Sequence, residues 1–170
     1  KIPHIIFLTG DTQPRPWGQY NVTENVLDFV ERFGCKTVIA LGGYSTPQNL
    51  DVVYVISNDL KLIEKYGSLV RVAHGGAVKG ALGVLLGLAE KRGMNCLGLL
   101  GATRGIYPDI KSSRNVVQIV ADMLDLPVDL RSLDKDIASM ETKLKRLQQI
   151  QMDVSIRERP EKEKEPTGGY

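Results

Sequence analysis

The stretch Leu99-Leu100-Gly101-Ala102-Thr103 carries an apolar run into a glycine and then into small and polar residues. The same change occurs at Phe7-Leu8-Thr9-Gly10-Asp11 and at Ala40-Leu41-Gly42-Gly43-Tyr44. A short apolar run bounded by glycine is typical of a strand that is buried on both faces of a parallel sheet. We therefore predict that each glycine marks the carboxyl end of a strand, which is where open α/β sheets hold their ligands and partners.

Helical and strand patterns alternate along the chain between these three stretches. Strands are predicted over residues 5–8, 36–41, 51–57, 68–73 and 95–100. Helices are predicted over residues 17–33, 60–66 and 78–92, and from Ser112 or Ser113 to Leu124. Gly34 and Gly93 supply the helix stops, and Asn58 or Asp59 supplies a cap. This alternation predicts one α/β domain over residues 1–127, with three α/β/α layers and a largely parallel sheet.

The last predicted helix, over residues 128–156, has a different character. Its apolar side chains recur at spacings of four and three, at Leu133, Ile137, Met140, Leu144 and Leu147. This heptad pattern favours two interpretations equally, since the stripe can pack on the domain's own surface or on a second copy of the chain as an oligomerisation element. Residues 157–170 combine mixed charge with proline and predict a flexible tail that ends at Tyr170.

Composition excludes several classes of function. The 170 residues carry a net charge of +2, which does not indicate a nucleic-acid-binding surface. The longest apolar stretch, residues 77–89, is too short to span a bilayer, so we expect a cytoplasmic protein that binds neither membrane nor nucleic acid. Cys35 and Cys96 are expected to be reduced and structural, and two cysteines with two histidines do not form a zinc pattern at these spacings.

The residues offer little for catalysis. The segment Gly75-Gly76-Ala77-Val78-Lys79-Gly80 precedes a helix but matches neither the P-loop nor the dinucleotide-binding pattern. No serine lies in a Gly-x-Ser-x-Gly turn. We therefore predict no catalytic residue, no cofactor and no metal. The alternative is a nucleoside- or nucleotide-binding enzyme or sensor whose strand-end crevice would use Asp11, Tyr44, His74 and Arg104.

Short segments spread over residues 4–150 carry a family resemblance. They are Leu8-Thr9-Gly10-Asp11-Thr12-Gln13-Pro14, Gly18-Gln19-Tyr20, Leu41-Gly42-Gly43-Tyr44, Gly76-Ala77-Val78-Lys79-Gly80-Ala81, Leu85-Leu86-Gly87-Leu88-Ala89, Arg92-Gly93, Leu100-Gly101-Ala102-Thr103 and Tyr107-Pro108-Asp109. In this order they resemble the type-two branch of the proteasome assembly chaperone family, in its archaeal and bacterial form. The resemblance implies a fold similar to purine nucleoside phosphorylases, homo-oligomers, and a non-enzymatic scaffold that binds proteasome α-subunits.

Two departures from the family pattern shape the expectations. Family members usually carry an earlier strand–helix unit, and the chain opens at Lys1 without it, so we expect a fragment. Some members dock on the proteasome ring through a C-terminal hydrophobic-Tyr-any motif. Here Tyr170 is the last residue and glycine precedes it, so the resemblance implies Tyr170 as a partner-binding residue only through a partial match.

Overall fold

The computed structural model of the chain describes residues 4–47, 51–64, 70–73, 77–105 and 109–157. After a 3-10 turn at Pro16–Gly18, the elements are α1 (Gln19–Glu31), β1 (Thr37–Ser45), β2 (Val53–Ser57), α2 (Leu60–Glu64), β3 (Val70–Val72), α3 (Gly80–Lys91), β4 (Asn95–Thr103), α4 (Ile110–Leu124) and α5 (Arg131–Arg157). The chain divides into two compact units between Leu130 and Arg131. The predicted boundaries at residues 127 and 156 stay predictions.

Four strands form one sheet in the first unit, in the order β1-β4-β2-β3. β1 runs parallel to β4 and β2 runs parallel to β3, but β2 is antiparallel to β4. The α/β class is therefore confirmed, and two of the three strand pairings are parallel while the third is antiparallel, so the sheet is mixed. Buried apolar runs alone do not reveal this, because a central strand is apolar whichever way its neighbours run.

Two of the three glycine stretches lie inside strands rather than at their ends. β1 continues through Gly42 and Gly43, and β4 continues through Gly101, where Gly43 and Gly101 are paired across the two strands. The reason is close packing: a Cβ at Gly101 would lie 2.2 Å from Ser112 Oγ on α4. These glycines allow a helix or side chain to approach the sheet rather than stop the strand.

The third glycine stretch does not follow a strand at all. Residues 4–10 lie outside the sheet, and the side chains of Ile6, Phe7 and Leu8 are exposed. The prediction of a buried strand over residues 5–8 is therefore wrong for this structure. β1 occupies the edge of the sheet instead.

Helices cover both faces of the sheet. On one face, Leu97 and Leu99 of β4 pack in a cluster with Val116 and Ile119 of α4. On the other face, Cys96 packs in a second cluster that includes Leu27 of α1 and both Leu86 and Ala89 of α3. Since successive residues of a strand point to opposite faces, β4 contributes to both clusters, and the first unit has three α/β/α layers.

The helix ends follow local chemistry. Gly34 and Gly93 have φ values of 69° and 73° just after α1 and α3, which confirms the predicted stops. The Asp59 carboxylate accepts a hydrogen bond from the Lys61 amide at 3.0 Å and caps α2. α4 begins earlier than predicted, because Asp109 rather than Ser112 or Ser113 is its N-cap and accepts from the Ser112 amide at 2.9 Å.

The second unit contains the 27-residue helix α5. Its predicted stripe is continuous, with Leu133, Ile137, Met140 and Leu144 half-buried and Leu147 exposed. Whether a second copy covers this stripe stays a prediction. No helix among the described residues is both long and apolar enough to cross a membrane. Tyr170 lies outside the described residues.

Candidate functional site

An open groove of about 620 Å³ lies where β1 and β4 end and α4 begins. β1 contributes Leu41, Gly42 and Gly43 to its lining, and the end of β4 contributes Thr103. The first turns of α4 form the opposite wall, from Asp109 to Val117. Its volume is in the range of small-molecule sites.

The groove exists because α4 packs chiefly against β4 and β2 and leaves this face of β1 uncovered. Gly101 permits the close approach of Ser112 and Val116 to β4. α4 does not cover β1 at this point, and the Leu41 side chain of β1 remains 54% exposed. The floor of the groove is therefore apolar, and its helix wall combines Asp109 and two serines with Val116 and Val117.

The polar groups of the groove are held by nearby backbone. The Asp109 carboxylate caps α4, and Ser113 Oγ donates to the Asp109 carbonyl at 3.0 Å. Thr103 Oγ1 accepts from the Gly105 amide at 3.1 Å. The described lining residues include one carboxylate and several hydroxyls but no histidine, cysteine or lysine. Such a lining can bind a molecule, and the carboxylate of Asp109 is engaged with the Ser112 amide.

The four residues predicted for a strand-end crevice are not brought together in this groove. Tyr44 and Arg104 do not line it, and neither does Asp11, which is exposed in the segment before α1. Tyr44 shares the β1 face of Gly42, towards α3, and its ring packs against Tyr54 with centroids 4.7 Å apart. His74 lies outside the described residues. A ligand-binding role for this set stays a prediction.

A smaller cavity of about 250 Å³ lies between β2 and α3 and is lined in part by Asn58, Glu90 and Cys96. Asn58 supports the backbone here: its Oδ1 accepts from the Cys96 amide at 2.8 Å and its Nδ2 donates to the Met94 carbonyl at 3.0 Å. Burial, with a smaller contribution from Glu90, raises the pKa of the Cys96 thiol. A protonated, buried thiol is a poor nucleophile, so Cys96 does not provide this cavity with a reactive group.

A charged cluster that the sequence reasoning missed joins α1 to the end of α3. Arg92 Nη1 lies 2.8 Å from Asp28 Oδ1 and 3.0 Å from Glu31 Oε2, and Nη2 pairs with Glu24. The hydrogen bond to Asp28 is the main cause that raises the pKa of Arg92, with Glu24 and Glu31 adding to it and desolvation opposing it. Glu24, Asp28 and Glu31 are spaced by four and three residues, which places them on one face of α1. This spacing was the signal in the sequence that could have predicted an acidic cluster.

The described residues contain no cluster of three or more histidine, cysteine or acidic side chains suited to a metal ion. Glu24, Asp28 and Glu31 instead surround the Arg92 guanidinium. Cys35 and Cys96 are both free thiols, as the sequence analysis predicted.

Comparison with known proteins places the chain in one protein family. The sequence profile of the PAC2 family matches residues 3–148. The Methanocaldococcus jannaschii protein MJ0106 is 28% identical over 157 residues, which are 92% of this chain and 66% of that protein. The chain thus spans slightly less than two thirds of this relative.

Two solved structures from Pyrococcus furiosus are similar to the fold described above. PbaB, described as an archaeal proteasome activator, is 35% identical with a TM-score of 0.73, over 82% of this chain and 63% of PbaB. PbaA, described as an archaeal homolog of proteasome-assembly chaperone, is 27% identical with a TM-score of 0.73, over 86% of this chain and 63% of PbaA. The family resemblance inferred from the short segments is confirmed.

Proposed function

Because this chain belongs to the PAC2 family, we propose that it is a non-enzymatic, homo-oligomeric scaffold that binds proteasome α-subunits in the cytoplasm. The observation that carries the proposal is the similarity to PbaB, a proteasome activator, at 35% identity and a TM-score of 0.73. Since the chain spans 63% of PbaB, the function is proposed for the part that matches.

The proposed scaffold has three working parts. The α/β unit, with a fold similar to purine nucleoside phosphorylases, supplies a rigid body. The apolar stripe of α5 joins copies of the chain through heptad packing. Residues 157–165 carry charge and proline, a composition typical of an extended tether, and Tyr170 supplies an aromatic anchor for the proteasome.

A pull-down with purified proteasome α-subunits tests this function. We expect the full chain to retain α-subunits and a chain that ends at Val154 to lose them, because the second lacks the tether and the anchor. Light scattering of the shortened chain provides the control, since an unchanged mass shows that the scaffold itself is intact. Absence of binding by both chains would contradict the proposal.

The groove of about 620 Å³ favours one alternative, a nucleoside or nucleotide ligand at the strand ends. A thermal-shift panel of nucleosides and nucleotides separates this alternative from the scaffold. A ligand at 100 times its dissociation constant stabilises the folded state by about 2.7 kcal/mol, which is easily measured. A flat response across the panel removes the alternative, and a response abolished by Ser113→Phe, which would fill the groove, supports it.

A further inference from the structure

The groove between β1 and α4 contains a buried hydroxyl group that no described residue pairs with. Ser112 lines the groove and is only 6% exposed. Its amide donates to Asp109, whereas its Oγ forms no hydrogen bond with any described residue. Among these residues no fully enclosed side-chain oxygen lacks a partner, so the Ser112 hydroxyl retains access to the groove. A ligand in the groove can complete its hydrogen bonding, which is favourable because an unpaired buried hydroxyl is costly.

Three more polar groups of the groove have hydrogen-bonding capacity left. Asp109 Oδ1 accepts from the Ser112 amide, and the second carboxylate oxygen has no partner among the described residues. Thr103 Oγ1 accepts from the Gly105 amide at 3.1 Å, which leaves its own hydrogen to donate. Ser113 Oγ donates to the Asp109 carbonyl at 3.0 Å, which leaves its lone pairs to accept. The groove therefore offers both donors and acceptors to one ligand.

Gly43 leaves room for a ligand beside these groups. Gly43 and Gly101 are paired across β1 and β4, and side chains at both positions would point towards α4. Ser112 fills the space over Gly101. A Cβ at Gly43 would contact Thr103 Cγ2 at 3.2 Å and the Gly101 carbonyl at 3.9 Å, and no described helix residue within 4 Å. This bare backbone, with Leu41 next to it in the lining, suits the C–H face of a small ring.

The charge of the lining selects against anionic ligands. The described lining holds one carboxylate and no lysine, arginine or histidine. The Asp109 carboxylate also occupies the positive end of α4, which would otherwise attract a phosphate group. The same positive end weakens the attraction of Asp109 for a cation. The lining therefore fits an uncharged ligand that carries several hydroxyl groups.

We propose that the groove binds an uncharged polyhydroxylated molecule, with a ring face over Gly43 and its hydroxyl groups paired with Ser112, Thr103 and Asp109. Neighbouring hydroxyl groups of this kind occur in free sugars and in the ribose of nucleosides. The proposal narrows the ligand alternative given above, because it excludes nucleotides. The site lies within one chain and does not depend on the binding of proteasome α-subunits, so the outcome of the pull-down leaves it standing.

Calorimetric titration of the full chain tests the site with ribose, glucose, adenosine and uridine, and with the monophosphate of each. We expect saturable binding of at least one uncharged probe. Its monophosphate should bind about tenfold or more weakly, because the phosphate faces a carboxylate without a cation to pair with. Binding of ribose or glucose identifies a free sugar as sufficient, and binding of adenosine or uridine alone identifies the ribose of a nucleoside.

Two variants locate the binding in the groove. Ser112→Ala and Thr103→Val each remove one hydroxyl with little change in volume, and each should weaken binding about threefold to tenfold. Ser139→Ala makes the same kind of change at an exposed position of α5 and should leave the affinity unchanged. Urea denaturation adds a readout that needs no ligand. Ser112→Ala should not lower stability, because its hydroxyl has no partner to lose among the described residues.

Any of four results would overturn the proposal. The first is no saturable binding of any uncharged probe at millimolar concentration. The second is a monophosphate that binds as tightly as its uncharged form. The third is binding that Ser112→Ala and Thr103→Val leave unchanged; where one of these variants fails to fold, the other decides. The fourth is a marked loss of stability in Ser112→Ala, because the hydroxyl would then be used within the protein and not by a ligand.

Discussion

At the scale of single residues, Gly101 decides how closely α4 packs on the sheet. A side chain there would meet Ser112 Oγ at 2.2 Å and both the Ser112 carbonyl and Val116 Cγ2 at 3.0 Å. Gly101→Ala should therefore cost about 1–3 kcal/mol in free energy of unfolding, because backbone atoms of α4 must move.

Gly87→Ala is the matched control for Gly101→Ala. A Cβ at Gly87 meets nothing within 4 Å, and alanine at a helix interior is favoured over glycine by up to about 1 kcal/mol. Urea denaturation should show opposite shifts for the two variants. Equal stabilities of the two variants would show that α4 can shift away from β4 at no cost in stability. Gly101 would then not determine how closely α4 packs on the sheet.

Cys96 is the second residue considered at this scale, because its surroundings change the pKa of its thiol. Burial raises its pKa from the ordinary value of 9.0, so the folded protein keeps the proton at a pH where the unfolded thiol has lost it. The folded state then binds more protons than the unfolded state, and stability falls as pH rises above about 9.

Two measurements check the Cys96 prediction. Iodoacetamide at neutral pH should modify half-buried Cys35 and spare Cys96 until the protein unfolds. The melting temperature should decline more steeply between about pH 8 and 10 for the natural sequence than for Cys96→Ala. Parallel declines would mean that Cys96 does not contribute to the alkaline loss of stability.

At the scale of elements, the start of α4 depends on its cap. The Asp109 carboxylate satisfies the Ser112 amide, and a negative charge also suits the positive end of a helix. Asp109→Ala should destabilise the protein by about 1 kcal/mol, and Asp109→Asn should recover most of the loss. Asp122→Ala, in the exposed last turns of α4, should change stability by less than about 0.5 kcal/mol in the same denaturation experiment. An Asp109→Ala variant as stable as Asp122→Ala would contradict the capping role.

The heptad stripe of α5 is tested at the same scale. Met140→Glu with Leu144→Glu places two charges on the stripe and should dissociate the proposed oligomer, which light scattering would detect as a loss of mass. Thr142→Glu with Gln149→Glu introduces the same charges on the exposed side of α5 and should leave the mass unchanged. An unchanged mass in the first variant would show that the stripe does not join copies of the chain.

At the scale of the whole molecule, the proposed function requires the α/β unit and the anchor at Tyr170 to act together. Tyr170→Ala should weaken retention of proteasome α-subunits about tenfold or more, because aromatic anchors dominate small interfaces. Thr167→Ala in the same tail should have little effect. Equal retention of both variants in a titrated pull-down would place the anchor elsewhere in the chain.

The sequence predicts local features well where a single residue controls them. Glycines with positive φ end α1 and α3 as expected, and Asp59 caps α2. Gly43 and Gly101 were wrongly predicted to be strand ends. A glycine that ends a strand and a glycine that allows a neighbouring segment to pack closely cannot be distinguished in the amino-acid sequence. The Arg92 cluster was missed because Arg92 and Glu24 are 68 residues apart.

The sequence by itself determined the α/β class, the helices with their stops and the family resemblance. These follow from hydrophobic periods and from residues whose backbone preference acts within a few positions. Only the tertiary structure decided the antiparallel pairing of β2 with β4, the groove between β1 and α4, and the exposure of residues 6–8. Strand order and direction depend on contacts between residues that are far apart in the chain. A local pattern of apolar residues does not show which strand lies next to which, or in which direction it runs. Gly42 and Gly101 thus proved to be points of close packing between helix and sheet, and Gly43 a point of close packing against β4.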